Sequence, residues 1–354
     1  MNNTPLVNNF LDLVRIDSPS GQEQEVASFL QQKLTHLNFR TEIDQAGNLF
    51  AANSHPGNPV LINAHMDTVE PGRGIKPQIK AGVITSDGTT ILGADNKSAL
   101  AAIITALEET DPEKVRPLEI IFSVREETDG GVSEFDFSKL KSRTGIVADR
   151  ASRIGSIVLA SPWIINLNIQ ITGRGAHSSL PESAINALNI ASLAIIKTKW
   201  GRIDPQTTTN IGLITGGTAM NSIPENVVLV GEIRSFSQTK LNQVNEKIKS
   251  TFSEICGKFS AGLDYKSSLY CPGYKYGKKD NAVREIVKTF RSMGLTASYE
   301  IAFGASDANT MASKGISLIA VGDGCKDPHM VRESISVADL EKLKLLFLNY
   351  MTAA

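Results

Sequence analysis

Residues 92–127 read LGADNKSALAAIITALEETDPEKVRPLEIIFSVREE. The alanine-rich run SALAAIITALEE (98–109) predicts a helix, because alanine and leucine lose little entropy in one. The following LEIIFSV (118–124) is short, apolar and β-rich, as a strand buried on both faces should be. Upstream, NLFAA (48–52) and PVLINAH (59–65) have the same character, and Val26, Phe29, Leu30, Leu34 and Leu37 recur at helical spacing. Downstream, TGIVA (144–148) and ISLIAV (316–321) predict further strands. Val283, Ile286, Val287, Phe290 and Met293 mark a late helix, and Val337, Leu340, Leu343 and Phe347 a final one. Strands alternating with helices predict an α/β domain with helices on both faces of a sheet.

The middle of the chain has another rhythm. WIINLNIQITG (163–173), TNIGLITGG (209–217), ENVVLVGEIRS (225–235) and GLDYKSSLY (262–270) read as strands. Helical stripes separate them, one through Ile185, Leu188, Ala191 and Ile195, the other through Leu241, Val244, Ile248, Phe252 and Ile255. The order β-α-β-β-α-β is that of a ferredoxin-like α+β module. It is expected at 162–275, inserted into an α/β domain made of 1–161 and 276–354.

Bulk properties exclude several classes. At 354 residues the chain exceeds the size at which one core stops growing, so two domains are expected. A net charge of -1 gives no broad electrostatic reason to bind nucleic acid or an anionic membrane. Apolar stretches are too short to span a bilayer, and the opening MNNTPLVNNF lacks the features of a signal peptide. Cys256, Cys271 and Cys325 are odd in number and widely spaced, which fits the reducing cytoplasm.

The chemistry lies at segment junctions. His65 ends one predicted strand and Asp67 follows it; Asp95 precedes the alanine-rich helix. Glu126 and Glu127 follow LEIIFSV directly, Asp149 ends GIVA, and His329 lies in the loop GDGCKDPHM after ISLIAV. Taken singly each has a plain reading: an N-cap for Asp95, a solvated turn for the glutamate pair, an exposed loop for His329. Together they form a pattern. In parallel α/β sheets functional groups gather beyond the carboxyl ends of strands. Two imidazoles and three carboxylates there suit zinc, or cobalt or manganese. An aspartate using both oxygens can bridge two ions, which sit about 3.5–4 Å apart in hydrolytic sites.

The ordered set LINAHMDTVEPG (61–72), LGADNKSALAAI (92–103), FSVREETDGG (122–131), IVADR (146–150) and DPHM (327–330) resembles the cocatalytic di-zinc peptidases that include peptidase T, carboxypeptidase G and acetylornithine deacetylase. GASDANT (304–310) and NSIPENVV (221–228) look most like the peptidase T group. The resemblance implies an α/β catalytic domain with an inserted lid/dimerisation domain. It implies that His65 and Asp149 bind one zinc, Glu127 and His329 the other, and that Asp95 bridges them, with a cis peptide expected between Asp95 and Asn96. Asp67 would orient His65, and Glu126 would be the general base.

His177, in GRGAHSS, resembles the lid histidine that donates to an oxyanion, in its own or a partner subunit. Arg234 shares a strand face with Val228, Val230 and Glu232, and either grips a substrate carboxylate with help from Asn221 or forms a surface Arg–Glu face. Asp307 is a candidate for the pocket wall or the substrate's amino group. Asp149 in place of glutamate resembles aminopeptidases rather than carboxypeptidases. Arg125 and the MVRE after His329 depart from many relatives and leave the substrate open. The implied protein is a homodimeric cytoplasmic aminopeptidase or tripeptidase acting on short peptides. An N-acyl-amino-acid deacylase, a carboxypeptidase and an inactive binding protein on the same scaffold stand as alternatives.

Overall fold

The computed structural model describes residues 4–128 and 130–353. Contacts divide the chain into two compact units. One comprises 1–159, 275–302 and 306–354, and the other 160–274 with 303–305.

The first unit is built on a mixed sheet. Four strands run side by side and parallel in the spatial order Leu118–Ser123, Val60–His65, Thr144–Ala148, Ser317–Val321. Val60–His65 and Leu118–Ser123 are buried at every position, as continuous apolar runs demand of strands covered on both faces. Leu49–Ala52 and Arg40–Ile43 extend one edge antiparallel, and Ser156–Ser161 begins the other. From Val60–His65 the chain crosses to the strand on one side and then returns to the strand on the other. The connection therefore reverses around His65, and a crevice opens at such a switch point.

Helix Ala94–Glu108 is buried nearly all round, which explains its alanines: it packs between helices Pro5–Arg15 and Val337–Met351 with little room for larger side chains. Leu100, Ile103, Leu343 and Phe347 belong to one continuous core.

The second unit has the predicted ferredoxin-like order. Strands Thr207–Gly216, Asn226–Ser235, Trp163–Thr172 and Gly262–Cys271 lie antiparallel in that spatial order, and helices Ala187–Lys197 and Gln238–Lys258 pack on the sheet. An extra strand, Gly201–Asp204, pairs with Thr207–Thr209. Residues 303–305 join this unit because Arg234 Nη1 donates to the Phe303 carbonyl at 2.8 Å, Ser161 Oγ donates to the Gly304 carbonyl at 2.9 Å, and the Phe236 ring meets Phe303 edge-on.

Candidate metal centre

Because the four central strands are parallel, their carboxyl ends share one edge. His65 ends one, Glu126 and Glu127 follow another by three and four residues, Asp149 follows a third, and the loop after the fourth carries His329. Asp95 arrives from the first turn of helix Ala94–Glu108. There the backbone departs from helical geometry, with ψ of 103° at Asp95, and the Asp95–Asn96 peptide is cis. Asn96 Nδ2 donates to the Ala148 carbonyl at 2.6 Å and so joins this turn to the strand preceding Asp149.

Donor atoms of His65, Asp95 and Asp149 lie within 4.8 Å of one another, and so do those of Asp95, Glu127 and His329. The two sets share Asp95. His65 Nε2 is 3.2 Å from Asp95 Oδ1 and 3.8 Å from Asp149 Oδ1. His329 Nε2 is 2.8 Å from Glu127 Oε1 and 3.7 Å from Asp95 Oδ2. Glu126 also has an oxygen within 4.8 Å of donors from His65 and Glu127.

Asp67 is fully buried and organises two of these segments. His65 Nδ1 lies 3.0 Å from the Asp67 carbonyl and 3.3 Å from its Oδ1. The Asp67 carboxylate also accepts from the Glu126 and Glu127 amides at 3.0 and 3.1 Å and from Ser20 Oγ at 2.6 Å. With the Nδ1 proton committed to Asp67, the Nε2 lone pair faces carboxylate oxygens. A proton or a cation must lie between them, so the donor set fits divalent metal.

The electrostatics agree. Burial would lower the His65 imidazole, but hydrogen bonds to Asp67 and Asp95 outweigh it and hold its pKa well above the ordinary value. The hydrogen bond to Glu127, then the Asp95 charge, lift His329 to about 9. Burial opposes ionisation of Asp95, yet His65 and His329 keep its carboxyl below the usual range. Burial, then Asp149, push Glu126 well above it; burial, then Asp95, do the same to Asp149. A carboxylate cluster held this tightly calls for compensating positive charge.

Asp307 begins helix Asp307–Ser313 and is buried. Its Oδ2 accepts from Ser123 Oγ and, at 3.1 Å, from Asn63 Nδ2, two residues of the central strands. In the second unit His177 is exposed, with Nδ1 2.7 Å from Ser179 Oγ. Asn221 is its close neighbour, since the Asn221 carbonyl accepts from the Ser178 amide at 3.0 Å. Arg234 is engaged: Nε and Nη2 meet the Glu232 carboxylate at 2.7 and 2.8 Å, and Nη1 meets Phe303.

Among the buried charged residues not singled out from the sequence are Glu23, Lys97, Asp323 and Glu333. Glu23 accepts from the Arg125 amide at 3.0 Å, just before the glutamate pair. Lys97 donates to the Ile16 carbonyl at 2.7 Å, and burial lowers its pKa to about 8. Asp323 has a buried Oδ2 without a hydrogen-bond partner, and the charges of Asp95 and Asp149 act on it. Glu333 accepts backbone N–H groups on either side of Ala94. Their sequence signal is weak, because an acid or lysine in a polar segment ordinarily faces water.

A mixed sheet whose parallel central strands gather two imidazoles and several carboxylates at the switch point carries the donor set expected of a metal-binding hydrolase centre. Residues 161–260 match the peptidase dimerisation domain of the M20 family. YqjE of Bacillus subtilis is 33% identical over 356 residues, 97% of this chain and 96% of that protein. The aminopeptidase PepT of Bacillus cereus superposes with a TM-score of 0.91 at 33% identity, covering 98% and 97% of the two chains. A tripeptidase of Staphylococcus aureus gives 0.94 at 29% identity, covering 99% and 98%. The chain belongs to the M20 family of peptidases.

Proposed function

We propose that this chain is a two-metal aminopeptidase that releases N-terminal residues from short peptides, tripeptides among them. The carrying observation is the pair of three-residue donor sets that share Asp95. In this reading His65 and Asp149 would hold one zinc and Glu127 and His329 the other, with Asp95 shared between the two sets; cobalt or manganese would suit the same donors. Such ions, when bound, polarise a scissile carbonyl and make water more acidic. Asp67 fixes the His65 ring through Nδ1. Glu126 accepts the proton of the attacking water on a carboxylate oxygen and returns it to the leaving amine. A carboxyl raised well above the usual carboxylate range by burial and by Asp149 is suited to hold that proton. His177 and Asn221 are proposed as substrate contacts, and Asp307 as a wall of the pocket. A substrate carboxylate at Arg234 would have to displace Glu232.

The first unit is proposed as catalytic and the second as the dimerisation module, a reading supported by the match over 161–260. The proposed location is the cytoplasm. Consistent with it, no helix among the described residues is long and apolar enough to cross a membrane.

Purified protein loaded with two zinc ions should release the N-terminal residue from tripeptides and lose that activity to a chelator. Cleavage of N-acyl amino acids alone would make it a deacylase instead, and release of C-terminal residues a carboxypeptidase. Glu126→Ala should keep its zinc and lose roughly 10²–10⁴-fold in turnover. Wild-type turnover in that variant would remove Glu126 from the mechanism, and no turnover of any amide by the parent protein would leave a binding protein.

A further inference from the structure

We infer that Glu333 is a positioning residue of the metal centre: its carboxylate fixes the backbone on either side of Ala94 and ties the Asp95 turn to the hairpin carrying His329. The inference rests on the two-metal reading above. Glu333 is fully buried. Its Oε2 accepts from the Leu92 and Gly93 amides at 2.8 and 2.7 Å, and its Oε1 from the Asp95 amide at 3.0 Å. The Cys325 thiol lies 3.5 Å from the same Oε1.

These amides flank the start of helix Ala94–Glu108, where N–H groups lack partners within the helix. The N-cap position is Gly93, with φ of +72° and no side chain to serve them. Glu333 supplies the cap from a segment some 240 residues away, the separation of the Gly93 bond. It stands at the foot of the His329 hairpin, closed by reciprocal backbone bonds of 2.9 and 3.1 Å between Lys326 and Ser334. The Glu333 amide donates to the Met330 carbonyl at 2.8 Å within that hairpin. Strand Ser334–Ser336 then pairs with Val83–Thr85. One side chain thus sets the turn of the bridging aspartate against the loop of an end ligand.

Glu333 adds its charge beside that of Asp95. That charge opposes folding without cations and favours the centre with them. Its two oxygens serve different donors, so an amide cannot replace it: turning Nε2 toward either set places donor against donor.

The test is zinc affinity by chelator competition on the full chain, with circular dichroism of the chelated protein and separate kcat and KM. Glu333→Gln should keep its fold, bind at least one of the two zinc ions about 10- to 100-fold more weakly, and lose kcat with little change in KM. Glu333→Asp, which keeps the charge but withdraws it by one methylene, should show the same affinity loss and stands in where Glu333→Gln does not fold. Zinc affinity within twofold of the parent in a folded variant overturns the inference and leaves the two-metal reading intact. If the parent binds no zinc pair that Asp95→Ala abolishes, the two-metal reading fails first, and this inference with it.

Discussion

At the scale of single residues the centre is a balance of charge at close range. His65 and His329 are held above the ordinary imidazole range by carboxylates that would also be their companion ligands. Metal needs both rings neutral at Nε2, so protons compete with it. The sign follows: below about 9, where His329 is protonated, each fall in pH should weaken binding, and binding should release protons. Zinc titration calorimetry at neutral pH, repeated in buffers of different ionisation enthalpy, should report net proton release. Binding with no proton release, or affinity that is flat between pH 6 and about 8, would contradict the His329–Glu127 pairing. The left-handed backbone at Arg125 (φ 54°), Asp327 (φ 52°) and His329 (φ 64°) borders the same groups. The candidate ligand types were legible in the sequence because four follow apolar runs, directly or in the next loop, and Asp95 opens the alanine-rich helix. Glu333 was not, because its work is done on backbone amides distant in the chain, and nothing in MVRES announces burial.

Among the elements, the strands of the central sheet were legible from composition, since a strand covered on both faces has to be apolar throughout. Arg40–Ile43 and Gly201–Asp204 were not: edge strands in contact with water keep mixed sequences. Helix Pro5–Arg15 buries Leu6, Val7, Phe10, Leu13 and Val14, which are spaced helically. Helix Val337–Met351 places Phe347, fully buried, in the core it shares with helix Ala94–Glu108. Phe347→Ala should destabilise the protein by about 3–5 kcal/mol, read from denaturant unfolding of the metal-free form. A loss below about 1 kcal/mol would mean that the helix does not pack as described.

For the whole molecule the question is association. In strand Thr207–Gly216, only Thr207–Thr209 pairs with Gly201–Asp204; the remainder, among the described residues, is paired on one side alone. Leu213 and Ile214 are exposed there at 65% and 55%. An open apolar edge on a module that matches a dimerisation domain is a natural seam between two copies. The protein should sediment at twice its chain mass, and Leu213→Asp should shift it toward single chains. A parent protein that sediments as single chains at micromolar concentration would remove the seam.

The first unit is assembled from both halves of the chain, on either side of 160–274. During synthesis, the second unit has all of its residues before strand Ser317–Val321, His329 and the capping Glu333 leave the ribosome. Until then helix Ala94–Glu108 has no carboxylate over its first amides and no C-terminal helix on its flank. An interrupted product that stops before His329 would carry four of the five proposed ligands, with the bridging Asp95 on an unbraced turn.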